Sequence, residues 1–258
     1  MCLVAFALDA HPRHRLVLMG NRDEAFARPA APLAAWADAP EVIAGRDLVA
    51  GGTWLGVTRS GRWAVLTNVR DPRHPRPSVR SRGDLVADYL RGGASPLAYA
   101  ADVHEARDQY DGFNLVVGDA DAVAVVSTQH DDVLELGPGV YGLSNDRLDT
   151  PWPKVVRARQ RLRDALRADA VDPADLLALL DDRQPAPDGD LPDTGVGLAW
   201  ERRLSPVRIF ADGYGTRVST ALVLDRDGGG QIAERTWEPD GAAGALVTVD
   251  IARPRASS

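Results

Sequence analysis

The stretch that most limits the fold is the first one, Met1-Cys2-Leu3-Val4-Ala5-Phe6-Ala7-Leu8, an apolar run without alternation. A half-buried strand alternates polar and apolar residues, whereas a continuous apolar run suits a strand covered on both faces. Such a strand needs strands beside it and a packed layer on each side. Cys2 is the chain's only cysteine, and in this reading it lies at the mouth of the packed core. Removal of Met1 would make it the N-terminal residue, with a thiol and a free α-amine on one residue. An α-amine has a pKa of about 7.7–8.0, so near neutrality part of it is unprotonated and able to take the thiol's proton. The alternative is a frayed end with no chemical role.

Composition excludes several classes. At 258 residues, 45% hydrophobic and 26% charged, the chain matches a soluble globular protein with a substantial core, read as one domain over 1–258. One cysteine leaves no intramolecular disulfide and fits a reducing compartment. No apolar run approaches the roughly 18–20 residues of a membrane span. The first residues lack the basic region of a signal peptide, so the expected location is cytoplasmic. A net charge of −7 argues against a nucleic-acid partner, which would want a basic surface. Lys154 is the only lysine; the arginine bias reads as genomic base composition, and a Schiff-base lysine is not expected. The histidines show no metal-ligand spacing and no Cys-x-x-Cys-His haem attachment motif exists, so no metal is expected.

Along the chain, Arg15 to Gly20 reads as a second strand, with Asn21-Arg22-Asp23-Glu24 at its end. Ala27 to Pro40, rich in Ala and Pro, reads as loop. Gly51 to Thr58 and Arg62 to Asn68 form a hairpin through Ser60-Gly61. Residues 70–82 carry five arginines among three prolines, either a solvated loop or a lid whose arginines meet an anionic substrate. Helices are expected over 83–91, 96–110, 151–168 and 173–180, the third with Val155, Ala158, Leu162 and Ala165 as its buried stripe. Strands are expected at 113–117, 122–128, 133–136 and 140–145, the last reaching Asn145. Residues 184–197 read as a surface excursion. A closing hairpin, 214–224 with 231–237, precedes an edge strand at 245–251 and a disordered tail. Arg217 and Ser219, two apart in the first strand of that hairpin, should share one face. This order excludes regular βαβ alternation. It predicts an α+β fold, a four-layer αββα sandwich of two largely antiparallel sheets.

Met1-Cys2, Asn21-Arg22-Asp23-Glu24, Gly52-Thr53-Trp54-Leu55-Gly56, Leu66-Thr67-Asn68, Ser81-Arg82-Gly83 and Tyr214-Gly215-Thr216-Arg217 follow one another in this order. Together they resemble the NRDE family (transport and Golgi organisation protein 2-like), from residue 1 to about 240. That family in turn resembles the N-terminal nucleophile (Ntn) hydrolases of the cysteine type, whose fold is the αββα sandwich. Members of that type cleave non-peptide amides such as penicillin V and conjugated bile acids. The resemblance implies Cys2 as nucleophile, with Asn68 and Asn145 as oxyanion-hole and substrate-orienting asparagines. Those amidases have an arginine and, three residues on, an aspartate at the end of the second strand. Here either Arg22 and Asp23 or Asn21 and Glu24 fill these places. Arg217 is a further cation for the substrate, or an ion pair at a sheet edge; Trp54 joins Asn21, Glu24 and Arg217 among the expected binding residues.

Two functions follow from the resemblance. One is a cysteine amidase or acyl-transfer enzyme acting on a small-molecule amide or thioester, without a cofactor. The other is a non-catalytic carrier or chaperone for haem or an acyl chain, since the family is associated with haem mobilisation and lipid handling. The partner in both is a small molecule.

Overall fold

The computed structural model describes residues 2–74 and 79–252. The expectations for Met1, for Arg76 in the arginine-rich loop and for the tail beyond 252 lie outside these residues. In chain order the elements begin with β1 (Cys2–Leu8), β2 (His14–Ala25), β3 (Ala30–Trp36), β4 (Ala39–Asp47), β5 (Leu55–Thr58) and β6 (Trp63–Asn68). The helices α1 (Arg82–Arg91) and α2 (Pro96–Glu105) follow, then β7 (Phe113–Gly118), β8 (Val123–Ser127), β9 (Leu134–Glu135) and β10 (Gly139–Leu143). The chain closes with α3 (Pro153–Ala165), α4 (Pro173–Leu179), α5 (Leu198–Leu204), β11 (Phe210–Ala211), β12 (Tyr214–Asp225), β13 (Gly230–Trp237) and β14 (Ala243–Ile251).

The strands make two sheets. The first runs β10-β1-β2-β12-β13-β14 with β11 beside β12, and the second runs β3 through β9 in sequence order. Every pairing is antiparallel. The apolar first strand shows why the sheets stack. Cys2, Val4, Phe6 and Leu8 point into a core shared with Trp54, Trp63 and Val116 of the second sheet. Leu3, Ala5 and Ala7 point the other way, into a core with Trp152, Val155 and Leu162 beneath α3 and α4. Helices α1 and α2 bury Leu85, Tyr89 and Val103 against the outer face of the second sheet. The layers are therefore helix, sheet, sheet, helix, as the order of elements predicts. The expected stripe of α3 faces the sheet with Val155, Ala158 and Leu162 buried and Ala165 at its edge.

Three departures from the sequence reading bear on the site. First, β2 continues through Asn21-Arg22-Asp23-Glu24 instead of ending before it. Its backbone is paired on both sides there: Arg22 lies opposite Cys2 and also opposite Val218. Second, the Ala- and Pro-rich segment is an edge strand, β3, not a loop. Its ladder with β4 breaks between Ala31 and Ala34, the kind of irregularity that tolerates Pro32, which has no N–H to give. The displaced Leu33 N–H goes instead to Glu234 Oε1 of the first sheet, at 2.8 Å. Third, β5 begins only at Leu55, because the residues before it meet the start of α1. Gly52 lies against the backbone of Gly83, where an added Cβ would sit 2.4 Å from the Gly83 carbonyl carbon. The same α1 terminus is capped by Ser81, whose hydroxyl accepts from the Gly83 N–H at 3.2 Å, so two of the motifs that carry the family resemblance pack on each other. The excursion over 184–197 is irregular as expected, and α5 follows it.

Candidate active site

Position 2 opens on a cleft of about 570 Å³ between the two sheets. The residue across the ladder is on the same face, so Arg22 shares the cleft with Cys2. Glu24, two further along β2, joins them. Trp54, Asn68 and Arg217 line the remaining walls. Trp54 fits because the residue beneath it is Gly20, where a Cβ would lie 3.2 Å from the indole and 2.7 Å from the Leu3 carbonyl oxygen.

The tetrapeptide thus divides by strand parity, which neither expected pair anticipates. Arg22 and Glu24 face the cleft; the side chains of Asn21 and Asp23 face the helix layer. Asn21 is fully buried. Its Nδ2 donates to the carbonyls of Val207 (2.8 Å) and Leu180 (3.3 Å), and its Oδ1 accepts from Ser219 Oγ at 2.6 Å. It therefore ties the sheet to the segments around α4 and α5, and it touches no cleft atom through its side chain. Asp23 accepts from Thr216 Oγ1 at 2.7 Å, and burial pushes its carboxyl up, against the pull of Lys154.

Arg217 is also not where alternation puts it. The ladder between β12 and β2 shifts between Thr216 and Val218, so Arg217 is the extra residue of a β-bulge and is re-aimed. It and its neighbour Val218 both reach the cleft, while Ser219 faces the helices. Arg217 donates to the carbonyls of Arg28 (2.8 Å) and Ala25 (3.0 Å).

Cleft electrostatics centre on Asp47, a residue that no motif or periodicity singles out. Its carboxylate accepts from Arg28 Nε at 2.6 Å and lies 3.1 Å from Arg22 Nη2. It also caps the turn after β4 through the Val49 and Ala50 N–H groups. Burial works against this carboxylate, but the Arg28 bond and the turn N–H groups hold it below the usual range. Cys2 is buried, 6% exposed as a residue. Burial pushes its pKa up, with Asp23 adding to the rise and Arg22 and the Asp23 N–H opposing it.

Asn145 does not line the cleft. It stands behind Asn68, just beyond β10, and its Nδ2 donates to Asn68 O at 2.9 Å and Asn68 Oδ1 at 3.4 Å. Ser144 beside it donates to the Cys2 carbonyl at 2.9 Å. Beneath these residues lies a buried ionic group. Arg70 pairs with Glu201 of α5 at 3.1 Å and stacks over Trp152. Lys154, at the start of α3, is 2% exposed. Arg70 is thus neither solvated nor part of a lid. Of the other described loop arginines, Arg73 and Arg80 pair with Asp193 and Asp88, and Arg82, at the cleft rim, bonds Gly112 O. The one signal for Lys154 was its singularity: a lone lysine in an arginine-rich chain.

The fold is that of the N-terminal nucleophile hydrolases. The conjugated bile acid hydrolase of Clostridium perfringens, solved as a C2A mutant, superposes with a TM-score of 0.52 over 97% of this chain and 92% of its own, at 10% identity. Within that fold the family is clear from sequence. Residues 1–239 match the Transport and Golgi organisation 2 family, and the chain belongs to it. The human transport and Golgi organization protein 2 homolog is 34% identical over 92% of this chain and 93% of its own length. The Bos taurus homolog is 33% identical over the same shares. Among the described residues, no helix is long and apolar enough to cross a membrane.

Proposed function

We propose that the protein is a cysteine hydrolase or acyl-transfer enzyme that acts on a small-molecule amide or thioester. The observation that carries this reading is Cys2 at the head of β1, opening on the cleft with Arg22 opposite and Asn68 on the wall. Removal of Met1 would leave the α-amine beside the thiol. As sulfur attacks the acyl carbon, the thiol proton passes to that amine. The acyl oxygen takes the developing charge and accepts from the Asn68 amide; one such donor is worth about 3 kcal/mol in the transition state. The C–N or C–S bond then breaks, the ammonium gives its proton to the leaving group, and water cleaves the acyl-cysteine in the same way. Asp23 orients the amine from the far side of the sheet, and Arg22 and Arg217 meet a carboxylate or phosphate of the substrate.

The test begins with the intact mass of the protein from its own host. Loss of Met1 and turnover of an amide or thioester that Cys2→Ala abolishes, with the fold preserved, is the expected result. An active Cys2→Ala protein overturns the reading.

A second reading is favoured by the thiol itself, which burial keeps protonated. In it the cleft, walled by Trp54 and Leu66, carries haem or an acyl chain without turnover. Binding would be saturable, with a Soret shift for haem, and indifferent to Cys2→Ala. Absence of binding to both haem and acyl-CoA at micromolar concentration ends this reading.

A further inference from the structure

Lys154 is the chain's only lysine, and its ammonium is buried rather than spread on the surface. Its Nζ lies 3.4 Å from Asn145 Oδ1. The other donor near that oxygen is Ser144 Oγ at 3.1 Å. The Ser144 hydroxyl also donates to the Cys2 carbonyl at 2.9 Å, and its single hydrogen serves one acceptor at a time. An ammonium has donors only, so Lys154 decides which end of the Asn145 amide faces it. The oxygen turns to Lys154 and the NH2 turns to β6, where it meets Asn68 O and Asn68 Oδ1. With Oδ1 occupied in this way, the NH2 is the end of Asn68 left for the cleft. Each bond in such a chain polarises the next.

We propose that Lys154 is a positioning residue for this site, orienting and polarising the Asn145–Asn68 amide chain so that Asn68 presents N–H donors, not an oxygen, to the cleft. The inference rests on the hydrolase reading for the acyl oxygen that receives those donors; the amide chain itself stands without it. Four titratable groups act on the ammonium through their charges: Asp23 from β2, Arg70 from the segment after β6, Cys2 from β1 and Glu201 from α5. Burial lowers Lys154 to about 8, with Asp23 opposing the fall. The charge that orients the chain can therefore be switched off in solution without unfolding the protein by acid.

One lysine and four asparagines make this readable by nitrogen-15 labelling of both residue types. In the wild-type protein, titrated over a window of about two pH units either side of neutral-to-alkaline 8, the Lys154 Nζ signal and the side-chain NH2 signals of Asn68 and Asn145 should shift with one midpoint. Lys154→Arg, permanently charged, should hold both amides at their low-pH positions throughout. Lys154→Met should hold them at their high-pH positions. Amide signals that do not titrate with the lysine in the wild type, or that still titrate in Lys154→Met, overturn the inference, and the wild-type arm suffices should Lys154→Met fail to fold. Against an acyl substrate, Lys154→Met should lose about tenfold or more in kcat with KM unchanged, while Lys154→Arg keeps most of it. A loss confined to KM overturns the inference too. A wild type that titrates as expected but turns over no acyl substrate ends the hydrolase reading and leaves the Lys154 chain standing.

Discussion

Arg22 lies directly across the β1–β2 ladder from Cys2, and its guanidinium is held 3.1 Å from Asp47. The cation that would steady a thiolate is therefore partly neutralised in the resting site. Removing the carboxylate charge should release it. Asp47→Asn keeps an acceptor for the turn after β4, and it should speed alkylation of Cys2 by iodoacetamide about threefold at fixed pH. Arg22→Met should slow it by a similar factor. Because the chain has a single cysteine, the mass of the adduct reports this site alone. Equal rates in all three proteins would remove Arg22 from any account of thiol reactivity.

Glu234 gives a pH-dependent stability. It is 3% exposed, and burial pushes its carboxyl up despite the bonds from Leu33 N–H and Thr220. With the folded value above the unfolded one, the stability it contributes is complete below the ordinary glutamate range and is lost as pH rises through the folded value. Glu234→Gln retains an oxygen for Leu33 and carries no charge. It should be more stable than wild type near neutrality, with the difference vanishing in mild acid. Urea denaturation at the two pH values measures this, and a gain that persists in acid would contradict it.

The Arg70–Glu201 bridge joins the segment after β6 to α5, with side chains 6% and 3% exposed. Breaking one side of such a pair strands a buried charge. Glu201→Ala should cost about 3–5 kcal/mol. Adding Arg70→Met to it should recover part of the loss, because the stranded charge goes too. Additive losses in the double variant would show the bridge to be energetically idle.

Gly52 and Gly83 touch, but not symmetrically. A Cβ on Gly52 meets only Gly83 backbone, within 2.4–2.9 Å; one on Gly83 finds nothing nearer than 3.3 Å. Gly52→Ala should therefore cost about 2 kcal/mol or more and displace the start of α1, whereas Gly83→Ala should cost under about 1 kcal/mol. Thermal unfolding of the two variants ranks them, and equal melting temperatures would refute the asymmetry.

The layers were legible in the sequence because they rest on period and run length. An unalternated Cys2–Leu8 demands cover on both faces, and Val155, Ala158 and Leu162 mark a helix lying on a sheet. What escaped depended on partners distant in sequence. Asn21 to Glu24 looks like a loop until β12 is there to pair it. Pro32 reads as a breaker until a buried glutamate takes the N–H that its bulge displaces. The cleft was legible in type, with Cys2, Arg22, Trp54, Asn68 and Arg217 brought together. It was not legible in detail, since a bulge at Arg217 and a second row of asparagine and lysine behind Asn68 leave no periodic trace. Asp47 and Lys154 are single residues whose importance comes only from what the fold sets beside them.

From Val4 to Leu8 the first strand is bonded along both edges, to β10 and β2, and covered on both faces. Ordinary breathing of a polypeptide end cannot release such a segment. Its amide protons can reach deuterium only when the layers themselves come apart, so their exchange should track the free energy of global unfolding. Cys2 is thus carried at the head of a segment that local loosening cannot release, and the strand behind it should keep its place right up to the temperature at which the molecule melts.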